Sequence, residues 1–90
     1  MNNKIVFSAS AWQDINTWVQ EDRKVFKKIN AVIQDIARNG NEGIGKPEPL
    51  INMNGYWSRR ITKADRMVYR IDGDEVQVGI VSMKGHYGDK

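Results

Sequence analysis

Cysteine is absent from this chain, so neither a disulfide framework nor a thiolate metal site can be built. Histidine occurs once, at His86, and the carboxylates are scattered, a poor starting point for a transition-metal site. No metal and no other cofactor is expected. No stretch approaches the roughly 20 apolar residues that a membrane span needs. The opening "MNNKIVFSASAWQD" lacks the charged-then-apolar design of a signal peptide. A cytoplasmic protein without a membrane partner is therefore expected. P-loop, GxGxxG and nucleophile-elbow sequences are all missing, as are repeats and low-complexity tracts. Proline occurs only at Pro47 and Pro49.

What is present suffices for one domain spanning residues 1–90. A chain of this length buries about 60–65% of its unfolded surface, and 40% hydrophobic content with three tryptophans can fill a core. The net charge of +3 has two readings, a solvated basic surface or a partner that is a polyanion. Composition leaves them even, and placement has to decide.

"KIVFS" (4–8) reads as a first strand. A helix follows, capped by Ser8 or by Ser10, the latter at capping-box spacing from Gln13. Trp12, Ile15, Trp18 and Val19 form its apolar stripe, with both tryptophans expected in the core. Asp22 can cap a second helix running to about Asn39, with Phe26, Ile29, Ile33, Ile36 and Ala37 on its stripe and Gly40 just beyond its end. "GNEGIGKPEPLINMNG" (40–55) then breaks all periodicity. Two prolines stiffen Glu48, which predicts an ordered functional loop. Strands follow at 56–62, 66–72 and 75–83. The predicted fold is α+β, in the order β-α-α-β-β-β, an antiparallel twisted sheet with both helices on one face.

Strand side chains alternate between faces. Pairing Arg60 with Val68 and Ile71 with Val76 puts Trp57, Ile61, Met67, Tyr69, Ile71, Val76, Val78 and Ile80 on the core face. The open face then collects Tyr56, Ser58, Arg60, Arg66, Val68, Arg70, Gln77, Gly79 and Val81. Arg59 falls on the core side, and the sheet margin, with its head in water, is its expected place. Three arginines close together on the open face favour an anion among them over a merely solvated face. Strict alternation sends His86 to the core face, and a kink at Gly85 would turn it toward the arginines.

Glu48, Arg60, Arg66, His86 and Tyr87 together hold the parts of metal-independent RNA cleavage. A carboxylate can take a proton, and an imidazole, with an unperturbed pKa of about 6.5, can give one. Guanidinium groups hold the charge that builds on a phosphate, and an aromatic ring stacks on a base. Such parts require Glu48, Arg66 and His86 to meet around one cavity.

"GKPEPL" (45–50), "GYWSRRIT" (55–62), "DRMVYRI" (65–71) and the late "HY" (86–87) resemble the YoeB/Txe toxins of the RelE superfamily, nearly over the whole chain. The resemblance implies the RelE-like fold, related to microbial ribonucleases. It also implies a type II toxin–antitoxin toxin that cuts mRNA in the ribosomal A site. Carried onto this chain, Glu48 corresponds to the general base and His86 to the general acid. Arg66 corresponds to the phosphate-stabilising arginine, Arg60 to a second arginine of the site, and Tyr87 to the aromatic that positions mRNA. Arg70, on the same face, is a further substrate-binding candidate. The implied partners are mRNA, the ribosome and a YefM/Axe-type antitoxin, with a homodimer as a further candidate assembly. The chain departs from the family pattern at Ile51, where a lysine is usual, and in carrying Gly88-Asp89-Lys90 after the tyrosine. The alternative from another class is a non-catalytic RNA- or ribosome-binding module that blocks translation by occupancy.

Overall fold

A computed structural model describes residues 4–81, with the Ile80 side chain excepted. β1 (Lys4–Phe7) leads into α1 (Ala9–Glu21) and α2 (Arg23–Asn39). β2 (Glu48–Pro49), β3 (Tyr56–Arg60), β4 (Arg66–Asp72) and β5 (Glu75–Ile80) complete one sheet, in the order β1-β5-β4-β3-β2.

Local chemistry sets the helix ends. Ser8, not Ser10, caps α1: its backbone is extended and its Oγ accepts from the Ala11 N–H at 3.0 Å. The same hydroxyl donates to the Gly79 carbonyl at 2.7 Å, tying the start of α1 to β5. Asp22 serves both helices. Its N–H closes α1 on the Trp18 carbonyl, and its carboxylate accepts from the Lys24 and Val25 N–H groups that open α2. The helix connection is thus a single residue. Gly40 ends α2 at φ 69°, its N–H on the Ile36 carbonyl.

Val25, Ile29, Val32, Ile33 and Ile36 of α2 pack with Ala11 and Ile15 of α1 against Met67, Tyr69, Val76 and Val78 of the sheet. Trp18 joins this core half-buried, but Trp12 is 56% exposed and rests beside Phe7 with ring centroids 5.6 Å apart. Ala11, Ile15 and Trp18 take the inward stripe, and Trp12 lies about 100° round the helix from Ala11.

Three features depart from the sequence reading. First, the sheet is mixed, because β1 runs parallel to β5 while every other pair is antiparallel. Turn length settles the direction of a hairpin strand, whereas β1 reaches the sheet only through two helices. Second, Arg60 pairs with Arg66, and Ser58 with Val68. The turn spans residues 61–65, closed by Ile61 and Thr62 N–H groups on the Asp65 carbonyl and by a Thr62–Asp65 side-chain bond. This slip of two residues leaves every side chain on its expected face. Third, β5 carries a bulge. Tyr69 pairs with Val78 but Val68 pairs with Ile80, so Gly79 is the extra residue. In–out alternation reverses there, and Val81, expected on the open face, is fully buried in the core.

Arg59 gives the largest departure. Its head does not reach water: the residue is 0% exposed. Nη1 donates to Asp35 Oδ2 and to the Ile44 carbonyl, and Nη2 to the Gly40 and Glu42 carbonyls. Nε donates to the Tyr69 hydroxyl at 3.3 Å. All five guanidinium N–H groups thus have acceptors. The Tyr69 hydroxyl, pushed up from its ordinary pKa by burial, remains a donor and bonds Asn41 Oδ1 at 3.0 Å. The Arg59 hydrogen bond holds the Asp35 carboxyl below the usual carboxylate range, against the opposing effect of burial.

Substituting Arg59 with methionine should cost about 3–5 kcal/mol, because Asp35 and three carbonyls lose their partner. Urea unfolding measures the loss. Because the pKa of Asp35 is lower folded than unfolded, the stability it confers is complete above pH about 4 and disappears as pH falls through the folded value. Asp35→Asn should be less stable at neutral pH and show a flatter acid limb. An unchanged acid limb would place the titration elsewhere.

Candidate active site

The glycine-rich segment after α2 is ordered because the Arg59–Asp35 pair holds it. Arg59 collects the Gly40, Glu42 and Ile44 carbonyls, and Asp35 Oδ2 accepts from the Ile44 N–H at 3.1 Å. Gly43, at φ 138°, passes so close that a Cβ there would fall 1.9 Å from Asp35 Oδ2. The Gly45 carbonyl then takes the Arg60 N–H at 2.6 Å, which docks the segment on β3. Three residues later the chain forms β2, an edge strand only two residues long. Pro47 and Pro49 flank Glu48, and prolines, having no N–H, suit a sheet edge and blunt it.

β2 fixes the position of Glu48. Glu48 stands opposite Ser58, and Ser58 opposite Val68, in one row across three strands. Arg66 is two residues from Val68 on the same face, diagonal to Ser58 and within reach of it. Its head lies between the two. Nε donates to Ser58 Oγ at 3.1 Å, and Nη2 donates to the same oxygen at 2.7 Å. Nη2 also donates to Glu48 Oε1 at 3.2 Å, forming an ion pair whose side chains are 25% and 61% exposed. Ser58, by contrast, is 1% exposed. Nη1 of Arg66 has no partner among the described residues. The site therefore presents a half-exposed carboxylate beside a guanidinium with an edge turned away from its anchors.

Arg60 is exposed on the same face, directly opposite Arg66. Arg70 shares the face but not the cluster. It pairs with Tyr56, and its guanidinium carbon sits 5.8 Å from the Tyr56 ring centroid. The three arginines are therefore divided: Arg66 bridges an acid and a hydroxyl, Arg60 stands beside it, and Arg70 covers a tyrosine. An acid, Glu48, stands among them. Ile51 is 98% exposed and lines, with Glu48, a shallow depression of about 380 Å³. His86 and Tyr87 lie outside the described residues. Among those residues, no group of three or more His, Cys, Asp or Glu could hold a metal ion.

Sequence reasoning gave Ser58 no role and Arg59 a wrong one. The signal for Ser58 was its place between Glu48 and Arg66 in the strand alternation. For Arg59 it was a charge at a core position with Asp35 one turn before the end of α2.

Residues 7–87 match the family described as "YoeB-like toxin of bacterial type II toxin-antitoxin system". The chain belongs to this family. Toxin YoeB of Streptomyces coelicolor is 47% identical over 85 residues, covering 93% of this chain and 99% of that one. Toxin YoeB of Escherichia coli K12 is 42% identical over the same shares. Among solved structures, a YoeB dimer from Staphylococcus aureus superposes with a TM-score of 0.86 at 42% identity, covering 91% of this chain and 97% of that one. A heterotetrameric YoeB–YefM toxin–antitoxin complex from the same organism gives 0.83 at 43% identity, covering 91% and 95%. The YafQ toxin of Escherichia coli, at 14% identity and a TM-score of 0.77, shares the fold. The family is thus the one that the "KPEPL" and "WSRRIT" stretches implied, while the fifth strand, β2, lies in the segment expected to be a loop.

Gly43→Ala should cost about 1–3 kcal/mol by forcing Asp35 off the Ile44 N–H. Faster amide hydrogen exchange at Ile44 would report the broken contact directly. Unchanged exchange there would mean that the segment accommodates a side chain.

Proposed function

We propose that this toxin is an endoribonuclease that cuts mRNA by general acid–base catalysis, without a metal ion. The observation that carries the reading is the Glu48–Arg66 pair on the open face, with Arg60 alongside. Glu48 takes the proton from the ribose 2′-hydroxyl as that oxygen attacks phosphorus. The O2′–P bond forms and the P–O5′ bond breaks. His86 gives its proton to the leaving O5′, which leaves a 2′,3′-cyclic phosphate and a 5′-hydroxyl. Arg66 and Arg60 hold the charge that grows on the phosphate oxygens, and Tyr87 stacks on a neighbouring base. Arg70 adds to the positive field along the RNA while braced on Tyr56.

The geometry supports an order of events. Arg66 uses one N–H on Glu48 and two on Ser58, which leaves the Nη1 edge for the phosphate. An arriving phosphate that binds this edge end-on competes for the Nη2 proton that Glu48 holds. Binding then releases the carboxylate from its ion pair as the 2′-hydroxyl arrives.

The family likeness supports the translating ribosome as the setting and the A-site codon as the target, hence a cytoplasmic protein. No helix among the described residues is long and apolar enough to cross a membrane. It also supports a YefM/Axe-type antitoxin as partner and leaves room for a dimer, in line with the assemblies solved for the Staphylococcus aureus relatives.

Glu48→Gln and His86→Gln should each lower cleavage of ribosome-bound mRNA by about 10²–10⁴-fold. Primer extension on mRNA from expressing cells reads the breaks. Full-length message on arrested ribosomes with the unmodified protein would instead mean blockage by occupancy. For the antitoxin, an acidic segment meeting Arg60, Arg66 and Arg70 should bind more weakly as salt rises. Pull-down across a salt series shows this, and salt-indifferent binding would point to an apolar interface.

A further inference from the structure

We propose that Ser58 is a positioning residue for the cleavage reaction, acting through Arg66. The inference rests on the reading of Glu48 and Arg66 given above and adds a component to it.

A long arginine on an open sheet face has many rotamers, and holding it in one costs conformational entropy. Phosphate stabilisation needs the head fixed in advance, because donors that must be reoriented during the reaction contribute less. Glu48 is a poor anchor, since it is largely exposed and has its own proton to take. Ser58 is a good one. It is buried, it is fixed in the middle of β3 between β2 and β4, and a single oxygen accepts both the Nε and Nη2 protons of Arg66. That side-on contact sets the plane and direction of the guanidinium, turning Nη1 outward. It does not use the carboxylate, so the anchor holds when the phosphate displaces Glu48 from Nη2.

Serine suits the place for three reasons. Its hydroxyl is short enough to receive Arg66 from the diagonal position. It is neutral, so it leaves the positive charge of Arg66 available to the substrate, which an aspartate there would cancel. And as the cross-strand neighbour of Glu48 it sets the spacing between base and phosphate site by strand pairing, not by side-chain flexibility.

The experiment is a double-mutant cycle of Ser58→Ala and Arg66→Ala, read on a defined mRNA bound to translating ribosomes, with Glu48→Gln alongside. Ser58→Ala should lower the saturated cleavage rate about 10–100-fold, as expected for a lost hydrogen bond to a charged group. The half-saturating ribosome concentration should change little. In the Arg66→Ala background the same substitution should have almost no further effect. Ser58→Thr, which keeps the hydroxyl, should recover most of the rate. Thermal unfolding checks that the variants fold. If the alanine variant does not, Ser58→Cys, similar in size with a weaker acceptor, takes its place.

A wild-type rate for Ser58→Ala, or an equal loss with and without Arg66, would overturn the proposal. In the first case Ser58 is idle, and in the second its effect does not pass through Arg66. The outcomes also separate this proposal from the reading beneath it. If Glu48→Gln and Arg66→Ala lose cleavage while Ser58→Ala keeps it, only the role of Ser58 falls. If Glu48→Gln and Arg66→Ala cleave normally, the reading of the site falls with it.

Discussion

A buried arginine holds this small protein together. Arg59 is fully enclosed, and an enclosed charge is tolerable only when every donor is used. It satisfies that condition by gathering a helix end, a loop and the core of the sheet onto one guanidinium. Asp35 comes from α2, three carbonyls from the segment after it, and the Tyr69 hydroxyl from β4. Removing the arginine would leave a carboxylate and three carbonyls without their partner. The loop therefore has one low-energy course, and that course delivers the chain to β3 in the register that makes Glu48 a strand residue.

The candidate site inherits its geometry from this arrangement. Adjacent residues of β3 have opposite duties. Arg59 points inward and fixes the backbone of the glycine-rich segment, while Ser58 points outward and receives Arg66. The period of two along a strand allows both within one dipeptide. Glu48, Ser58 and Arg66 come from three neighbouring strands, so their spacing is set by main-chain pairing. The Glu48 carboxylate is left largely to solvent, and Nη1 of Arg66 is left without a partner among the described residues.

Much of the architecture was legible in the residues. Helix ends could be read because Asp22 and Gly40 have strong local preferences that packing did not overrule. Strand faces could be read because a period-two pattern survives a register error of two. The order of strands could not be read, nor the parallel β1–β5 pair, because both depend on where two helices deliver the chain. The bulge was also hidden. Gly79 looks like any strand glycine until Tyr69 and Val68 are seen to pair on either side of it. Trp12 misled for a simpler reason. A 13-residue helix has room for only a narrow inward stripe, and small Ala11 occupied the place that size alone assigned to tryptophan.

By itself the sequence determined the family, the identities of the chemically able side chains and the face that each residue of β3 and β4 occupies. These follow from residue type, spacing and alternation, which are local properties. Tertiary structure decided what those side chains touch. It turned Arg59 from a marginal surface charge into an enclosed staple, gave three similar arginines three different surroundings, and gave Ser58 a neighbour on each side. Those outcomes depend on contacts between residues far apart in the chain, such as the 24-residue separation of Asp35 from Arg59 and the 18-residue separation of Glu48 from Arg66. No local pattern encodes such contacts until the strands are paired and the loop is closed.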